Sequence, residues 1–270
     1  MKKGLFIKVL AGIMAAAFLL SGCGSSDTAD KSWDKVKEKG QLVLGLDESF
    51  PPMGYRDDNN EIVGYDIDLA KEVAARLGVE LKLQPINWDS KDQELNTGNI
   101  DCIWNGFTIK EDRKENILFS DPYMKNQQVL VVMADSAYNT QADLAGKSVA
   151  LQAASSASNA LDSKAEFKAS LKEVVELPDN TKCLMELQTN NVDAVVMDEV
   201  VARYFVQIKG DKYRILDEGL AAEEYGIGFR KNDVQLMTKV NDTLKDMAQD
   251  GKAIEISNKW FGKDISIIGK

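Results

Sequence analysis

Short apolar runs alternate along the chain with stretches in which apolar residues recur every three or four positions. Residues 41–46 form an apolar run that predicts a buried strand, and residues 79–86 and 100–106 predict two more. Between them, residues 66–77 carry apolar side chains on one helical face, and residues 92–97 fit a shorter helix. This order of strand, helix, strand, helix and strand predicts a parallel sheet.

The second half of the chain repeats the alternation, beginning with an apolar run at residues 128–133. Further strands are predicted at residues 148–151, 174–177, 192–197, 213–216 and 225–229, and helices at residues 155–161, 181–189, 200–208 and 234–260. Residues 49–55 contain two adjacent prolines and a glycine, so we predict an irregular loop there. The whole pattern indicates an α/β protein.

One segment recurs. Residues 94–101 read ELNTGNID, and residues 186–193 read ELQTNNVD. In each copy a helix ends at a residue that tolerates the left-handed conformation, and a strand follows. The same offset relates Gly106 to Asp198 at the two strand ends. Ligands bind outside the carboxyl ends of strands in open α/β sheets, so two such edges predict a cleft. The alternative is a chance similarity of two helix–strand junctions.

Composition narrows the chemistry. The 270 residues carry a net charge of −10 and include no histidine. An acidic chain does not suit nucleic-acid binding, and the lack of histidine excludes histidine triads, histidine metal sites and a histidine pH switch. We interpret Cys102 and Cys183 as buried reduced thiols, since neither has metal-ligand spacing. We predict no metal and no cofactor.

The N-terminus resembles a bacterial lipoprotein signal. A mostly apolar stretch at residues 5–20 follows a basic start and ends in the sequence LSGC at residues 20–23. We predict that residues 1–22 are a signal peptide, that Cys23 is lipidated, and that residues 23–33 are a flexible tether. The alternative is a short helix with a spare cysteine. The prediction places the protein on the extracytoplasmic face of the cell membrane.

Five phrases in the remaining chain resemble the extracellular solute-binding proteins of family 3, which serve ABC importers of amino acids. They are GLDESFPP at residues 45–52, GYDIDLA at 64–70, GFTIKEDR at 106–113, FSDPY at 119–123 and MDE at 197–199. The resemblance covers nearly all of the chain after the tether. It implies the type II periplasmic-binding fold: two Rossmann-like α/β lobes, joined by two crossing hinge segments, with a ligand cleft between them.

The resemblance also implies lobe boundaries and a ligand. Lobe 1 comprises residues 34–126 and 221–270, and lobe 2 comprises residues 127–220. The ligand is a polar L-amino acid, with a glutamine-like or basic side chain favoured, and the partners are ABC permease subunits. We expect a monomer that is not an enzyme. Two alternatives are a cyclic-acid dehydratase of related fold and a sensory module for a signalling partner.

An amino acid needs a fixed cation, a fixed anion and a shaped pocket. The family pattern assigns the carboxylate-binding cation to Arg113, whose planar fork matches a carboxylate, with Thr108 donating its hydroxyl to the same group. The ammonium is assigned to Asp198, with the carbonyl of Gly106 beside it. The remaining implied ligand contacts are Ser155 or Ser156 for the carboxylate, Phe50 and Trp88 for the aliphatic portion, and Asp47, Asn105 and Gln152 for the side chain.

Each assignment has a plainer alternative. Local sequence alone favours a surface arginine at Arg113 paired with a neighbouring carboxylate, and the upstream motif at residues 106–108 favours the ligand-binding role. Thr108 and Asp198 read as helix N-caps, and Phe50 and Trp88 as core residues. Strand alternation places Trp104 opposite Asn105, so Trp104 belongs either to the cleft rim or to the core.

Overall fold

The computed structural model of the protein describes residues 30–270; the predicted signal peptide and Cys23 lie outside this range. The helices are Ser32–Lys39 (α1), Tyr65–Leu77 (α2), Lys91–Thr97 (α3), Glu111–Lys114 (α4), Ser156–Asp162 (α5), Ala165–Ser170 (α6), Asn180–Gln188 (α7), Glu199–Lys209 (α8), Val234–Gln249 (α9) and Lys252–Phe261 (α10). Within this part of the chain, no helix combines the length and apolar character needed to span a membrane.

A large mixed sheet organises the molecule. The strands are Gln41–Leu46 (β1), Ser49–Phe50 (β2), Gly54–Arg56 (β3), Ile62–Val63 (β4), Glu80–Pro85 (β5), Cys102–Thr108 (β6), Ile117–Phe119 (β7), Met124–Met133 (β8), Ser148–Gln152 (β9), Glu173–Leu177 (β10), Ala194–Asp198 (β11), Tyr213–Ile215 (β12) and Ala221–Arg230 (β13). The sheet order is β10-β9-β11-β8-β13-β6-β1-β5, with β12 on β8 and β7 on β13. As predicted, β1 lies parallel between β5 and β6.

Strands β8 and β13 join the two halves of the sheet. They pair antiparallel from Ala221 opposite Gln128 to Tyr225 opposite Met124. Beyond this ribbon, β8 continues along β11 and β13 continues along β6. The lobe boundaries predicted at residues 126/127 and 220/221 fall within or next to this ribbon, and they stay a prediction about which residues move together.

The repeated segment adopts the same structure twice. Gly98 ends α3 with a φ of 80°, and Asn190 follows α7 with a φ of 58°. In both copies the next asparagine donates its side-chain amide to the glutamate five residues earlier. In both copies the closing aspartate accepts a backbone N–H from the neighbouring parallel strand, Asp101 from Val43 at 2.9 Å and Asp193 from Ser148 at 3.0 Å. The predicted internal repeat is therefore confirmed.

Several predicted boundaries are wrong. The helix predicted at residues 234–260 is divided into α9 and α10. The segment 49–55 is not wholly an irregular loop, because β2 and β3 pair antiparallel across it and β4 extends this small sheet. The strand predicted at residues 100–106 begins at Cys102 and extends to Thr108. The predicted tether runs too far, because Ser32 starts α1, is buried, and accepts a hydrogen bond from the backbone of Leu236.

Three residues whose roles the sequence left open are buried in the core. Cys102 and Cys183 are free and buried, as predicted, and burial raises the pKa of both thiols. Trp104 belongs to the core rather than to the cleft rim, because it is fully buried and its ring centroid lies 6.3 Å from that of Tyr123.

Candidate functional site

One small cavity lies between the carboxyl ends of β6 and β11, where the repeat predicted a cleft. Its lining contains nine of the eleven residues singled out from the sequence: Phe50, Trp88, Gly106, Thr108, Arg113, Gln152, Ser155, Ser156 and Asp198. The cavity has a volume of about 10 Å³. That volume corresponds to roughly one water molecule, so the opposing walls must separate before an amino acid can enter.

Arg113 reaches the cavity from α4. Its guanidinium donates one hydrogen bond to the backbone oxygen of Thr108, at 2.8 Å, and lies 4.5 Å from the centre of the Phe107 ring. Among the described residues it forms no ion pair, so the surface-pair alternative does not hold. A guanidinium has five N–H donors, which leaves most of this fork for a carboxylate.

Asp198 lies at the opposite strand end and is almost fully buried. Its Oδ1 accepts hydrogen bonds from Asn126 Nδ2 at 2.8 Å and from the Tyr225 hydroxyl at 2.5 Å. Although it precedes α8, its side chain makes no capping hydrogen bond. Burial, followed by the negative charge of Glu223, raises the pKa of Asp198 to about 7. A cation beside this carboxylate would offset the cost of burying its charge.

Two hydroxyls from opposite sides meet in the cavity wall. Thr108 Oγ1 and Ser156 Oγ lie 3.1 Å apart, and both are buried. Both also lie within hydrogen-bond distance of Glu223 Oε2. Ser155 instead caps α5, where its Oγ accepts from the N–H of Ala157. The choice between the two serines, open in the sequence, therefore falls on Ser156 for contact with this cluster.

Asp47 and Asn105, the other two residues predicted from the sequence, lie beside the cavity rather than in its lining. The backbone N–H of Asp47 donates to Asn105 Oδ1 at 2.9 Å, and Asp47 Oδ2 accepts from Gln152 Nε2 at 2.7 Å. Burial raises the pKa of Asp47 to about 6, against the opposing effect of the hydrogen bonds from Gln152 and the backbone of Ser49. Asp47 and Trp88 also border a larger cavity of about 560 Å³. Four further carboxylates line that cavity: Glu48, Asp89, Glu176 and Asp179.

Gly106 contributes backbone to the lining of the cavity. Its φ of +57° lies in the left-handed region, and a Cβ at this position would come within 2.8 Å of the Phe50 ring and 3.1 Å of the Tyr225 ring. Its N–H donates at 2.7 Å to Asp66 Oδ2, which also accepts from the Tyr123 hydroxyl. Only glycine satisfies the backbone and the contacts together.

We therefore expect Gly106→Ala to weaken amino-acid binding at least about tenfold and to lower the melting temperature, because strained backbone and overpacking each cost about 1–3 kcal/mol. Calorimetric titration and thermal melting measure the two effects. Gly98→Ala provides the control, since it also has positive φ but has no atom within 4 Å of the added Cβ. A Gly106→Ala protein that binds and melts like its parent would contradict this account.

Four site residues were missed from the sequence. Asn126 and Gln128 come from β8, and Glu223 and Tyr225 come from β13. Each pair is spaced by two residues, so each pair projects from one face of its strand. This alternation indicates that each pair shares one face of its strand, but the sequence does not indicate which face borders the cleft.

The arrangement sets a forked cation and a buried carboxylate around one enclosed space. It suits the binding of a zwitterion, because the guanidinium matches a carboxylate and the buried carboxylate matches an ammonium.

Comparison with known proteins agrees with this geometry. The model of the bacterial extracellular solute-binding proteins, family 3, matches residues 42–263. The L-cystine-binding protein TcyJ of Escherichia coli K12 is 30% identical over 262 residues, covering 96% of this chain and 97% of that protein. The arginine-binding extracellular protein ArtP of Bacillus subtilis 168 is 30% identical over 266 residues, covering 97% and 98%.

A solved structure is similar throughout. The substrate-binding protein of an ABC uptake transporter from Streptococcus pneumoniae, with bound histidine, superposes with a TM-score of 0.86 at 36% identity, covering 89% of this chain and 99% of that one. These three proteins are named as binding proteins and not as enzymes, in line with the expectation from the sequence. The similarity confirms the predicted type II periplasmic-binding fold.

Proposed function

The chain belongs to the bacterial extracellular solute-binding proteins, family 3, and from this premise we propose that it captures a polar amino acid between its lobes and delivers it to an ABC permease. The observation that carries the proposal is the cavity at the carboxyl ends of β6 and β11, which both Arg113, from α4, and Asp198, at the end of β11, line. The guanidinium would hold the ligand's carboxylate, and Asp198 its ammonium. In the lining of this cavity, Arg113 is the one cationic residue and Asp198 the one acidic residue.

Binding the carboxylate at Arg113 and the ammonium at Asp198 would favour closure of the lobes. The lobe boundaries that we propose put Arg113 and Asp198 in opposite lobes, so a zwitterion held by both would favour the closed arrangement. A ligand shifts a conformational equilibrium only through such differential contacts. Residues 34–126 with 221–270, and residues 127–220, are the two bodies that we propose to move. Lipidation at Cys23 would keep the protein at the extracytoplasmic face, beside the permease.

The side-chain end of the site favours a ligand that bears N–H donors. Asp47 is a buried acceptor that takes a hydrogen bond from Gln152, and the adjoining cavity is rich in carboxylates. Arginine or lysine would gain charge pairing there, and glutamine would gain amide hydrogen bonds. We therefore propose a basic or glutamine-like amino acid, and we retain cystine as a test ligand because its second ammonium offers similar donors.

Thermal melting with each common amino acid, ornithine, citrulline and cystine tests the proposal. A ligand that binds only the folded state raises the melting temperature. The protein is first unfolded and refolded to remove any ligand carried through purification. We expect large shifts with a small group of nitrogen-bearing amino acids. If no amino acid shifts the melting temperature, the proposed function is wrong.

We also expect binding to weaken in acid. The pKa of Asp47 is raised to about 6 and that of Asp198 to about 7, so below these values a cation must displace a proton from each carboxylate. The affinity for L-arginine should therefore fall at least about tenfold from pH 7 to pH 5, where the ligand's own charges do not change. Calorimetric titration measures this slope, and Asp47→Asn should make it shallower. A constant affinity across this range would contradict the assignment of both carboxylates.

A further inference from the structure

A single carboxylate oxygen connects both sides of the cavity with the crossing strands. Glu223, on β13, is half-buried next to the cavity. Its Oε2 lies within hydrogen-bond distance of four donors: Asn126 Nδ2 at 3.1 Å, Gln128 Nε2 at 3.0 Å, Thr108 Oγ1 at 3.1 Å and Ser156 Oγ at 3.3 Å. One carboxylate oxygen has two lone pairs, so these four donors share a single acceptor.

The register of β8 against β13 brings the Asn126 and Gln128 amides next to the Glu223 carboxylate. Glu223 pairs with Asn126 across the ribbon, and Ala221 pairs with Gln128. Residues two apart on a strand share a face, so both amides of β8 project with the Glu223 side chain. The two hydroxyls come from outside the ribbon, Thr108 at the end of β6 and Ser156 at the start of α5.

The Glu223 carboxylate limits where the hydroxyl protons of Thr108 and Ser156 can point. Each hydroxyl has one proton to donate and two lone pairs to accept with. Ser156 Oγ already accepts from Gln128 Nε2 at 3.1 Å. The protons of Thr108 and Ser156 can both go to Glu223, or one can pass to the other hydroxyl while that hydroxyl donates to Glu223. In each of these arrangements both protons stay within the cluster, and Thr108 keeps at least one lone pair free. Ser156 keeps a free lone pair only where it does not accept from Thr108, because Gln128 already donates to its other lone pair.

We propose that Glu223 is a positioning residue that draws the Thr108 and Ser156 protons to itself, so that Thr108, and Ser156 where it does not accept from Thr108, turn lone pairs toward the ligand. Hydroxyls in this state accept from an ammonium and do not donate to a carboxylate. This inference rests on the proposed function. It revises the role expected for Thr108 from the sequence, and it leaves the ligand's carboxylate to Arg113.

The opposite role makes the opposite prediction. If the hydroxyls donate to the ligand's carboxylate, then Glu223 competes with the ligand for their protons. Removing the negative charge would in that case strengthen amino-acid binding. If Glu223 only supports the fold, its removal would weaken every ligand by the same factor.

The test measures the selectivity for an α-ammonium in the full chain and in Glu223→Gln. The probes are L-arginine and 5-guanidinovaleric acid, which lacks only the α-ammonium, together with L-glutamine and glutaramic acid as a second pair. The variant's amide can donate to the hydroxyl oxygens and free their protons to face the cavity. We expect the affinity ratio within a bound pair to fall about tenfold.

Matched variants keep the result specific. Glu224→Gln removes the same charge from the next residue, which is exposed, and should leave the ratio unchanged. Glu223→Asp keeps the carboxylate and should retain more of the selectivity than Glu223→Gln does. An unchanged ratio in Glu223→Gln, or tighter amino-acid binding, would overturn the positioning role alone. Failure of the parent protein to bind any of the amino-acid probes used in the thermal screen would instead overturn the proposed function.

Discussion

Replacing Arg113 by alanine is expected to lower the affinity for amino acids by about 100-fold or more. The guanidinium has free donors at the cavity, and the ligand's carboxylate would be buried without a partner when it is removed. Truncating one member of a buried, hydrogen-bonded charge pair costs about 2–5 kcal/mol, which corresponds to roughly 30-fold to several thousandfold in affinity. Calorimetric titration of the ligand found by thermal melting measures the loss.

Two further variants sharpen this result. Arg113→Lys keeps the positive charge but not the planar fork, so it should recover only part of the affinity. Arg203→Ala is the control, because Arg203 is exposed and, within residues 30–270, forms its one ion pair with Glu199 on the same helix. Binding by Arg113→Ala at the parental affinity would remove the basis of the proposed site.

Asp198→Asn is expected to have a comparable effect on binding and a different effect on stability. The asparagine keeps the shape of the side chain and can still accept from Asn126 and Tyr225, but its amide has no charge for the ammonium. We expect affinity to fall by about 100-fold or more. Burial already disfavours the charged form of Asp198, as its raised pKa indicates, so the free protein should melt at the same or a higher temperature.

Combining the two measurements separates loss of binding from loss of folding. Asp135→Asn is the control, because Asp135 is exposed and lies on the loop after β8, away from the cavity lining. A variant that retains full affinity would show that the ammonium is held elsewhere. A strong drop in melting temperature together with lost binding would show instead that Asp198 is needed chiefly for the fold.

The sequence alone determined the features that depend on near neighbours. Periodicity predicted the parallel strands and their helices, and the repeated helix stops at Gly98 and Asn190 predicted two equivalent units. Because the repeat predicted strand ends at Gly106 and Asp198, the sequence also located the cleft, and both residues line the cavity although β6 continues to Thr108. The motifs added Arg113, which local pattern alone would have left as a surface residue.

The tertiary structure alone decided how distant polar side chains combine. Glu223 meets Gln128 across 95 residues of chain and Thr108 across 115, so the contact depends on the register of β8 against β13, which no local pattern encodes. The same holds for the two adjacent serines, where backbone direction makes Ser155 a helix cap and turns Ser156 toward the cluster. Local sequence specifies which elements form and which charges they carry. The pairing of long-range strands decides which of those charges and hydroxyls share one enclosed space.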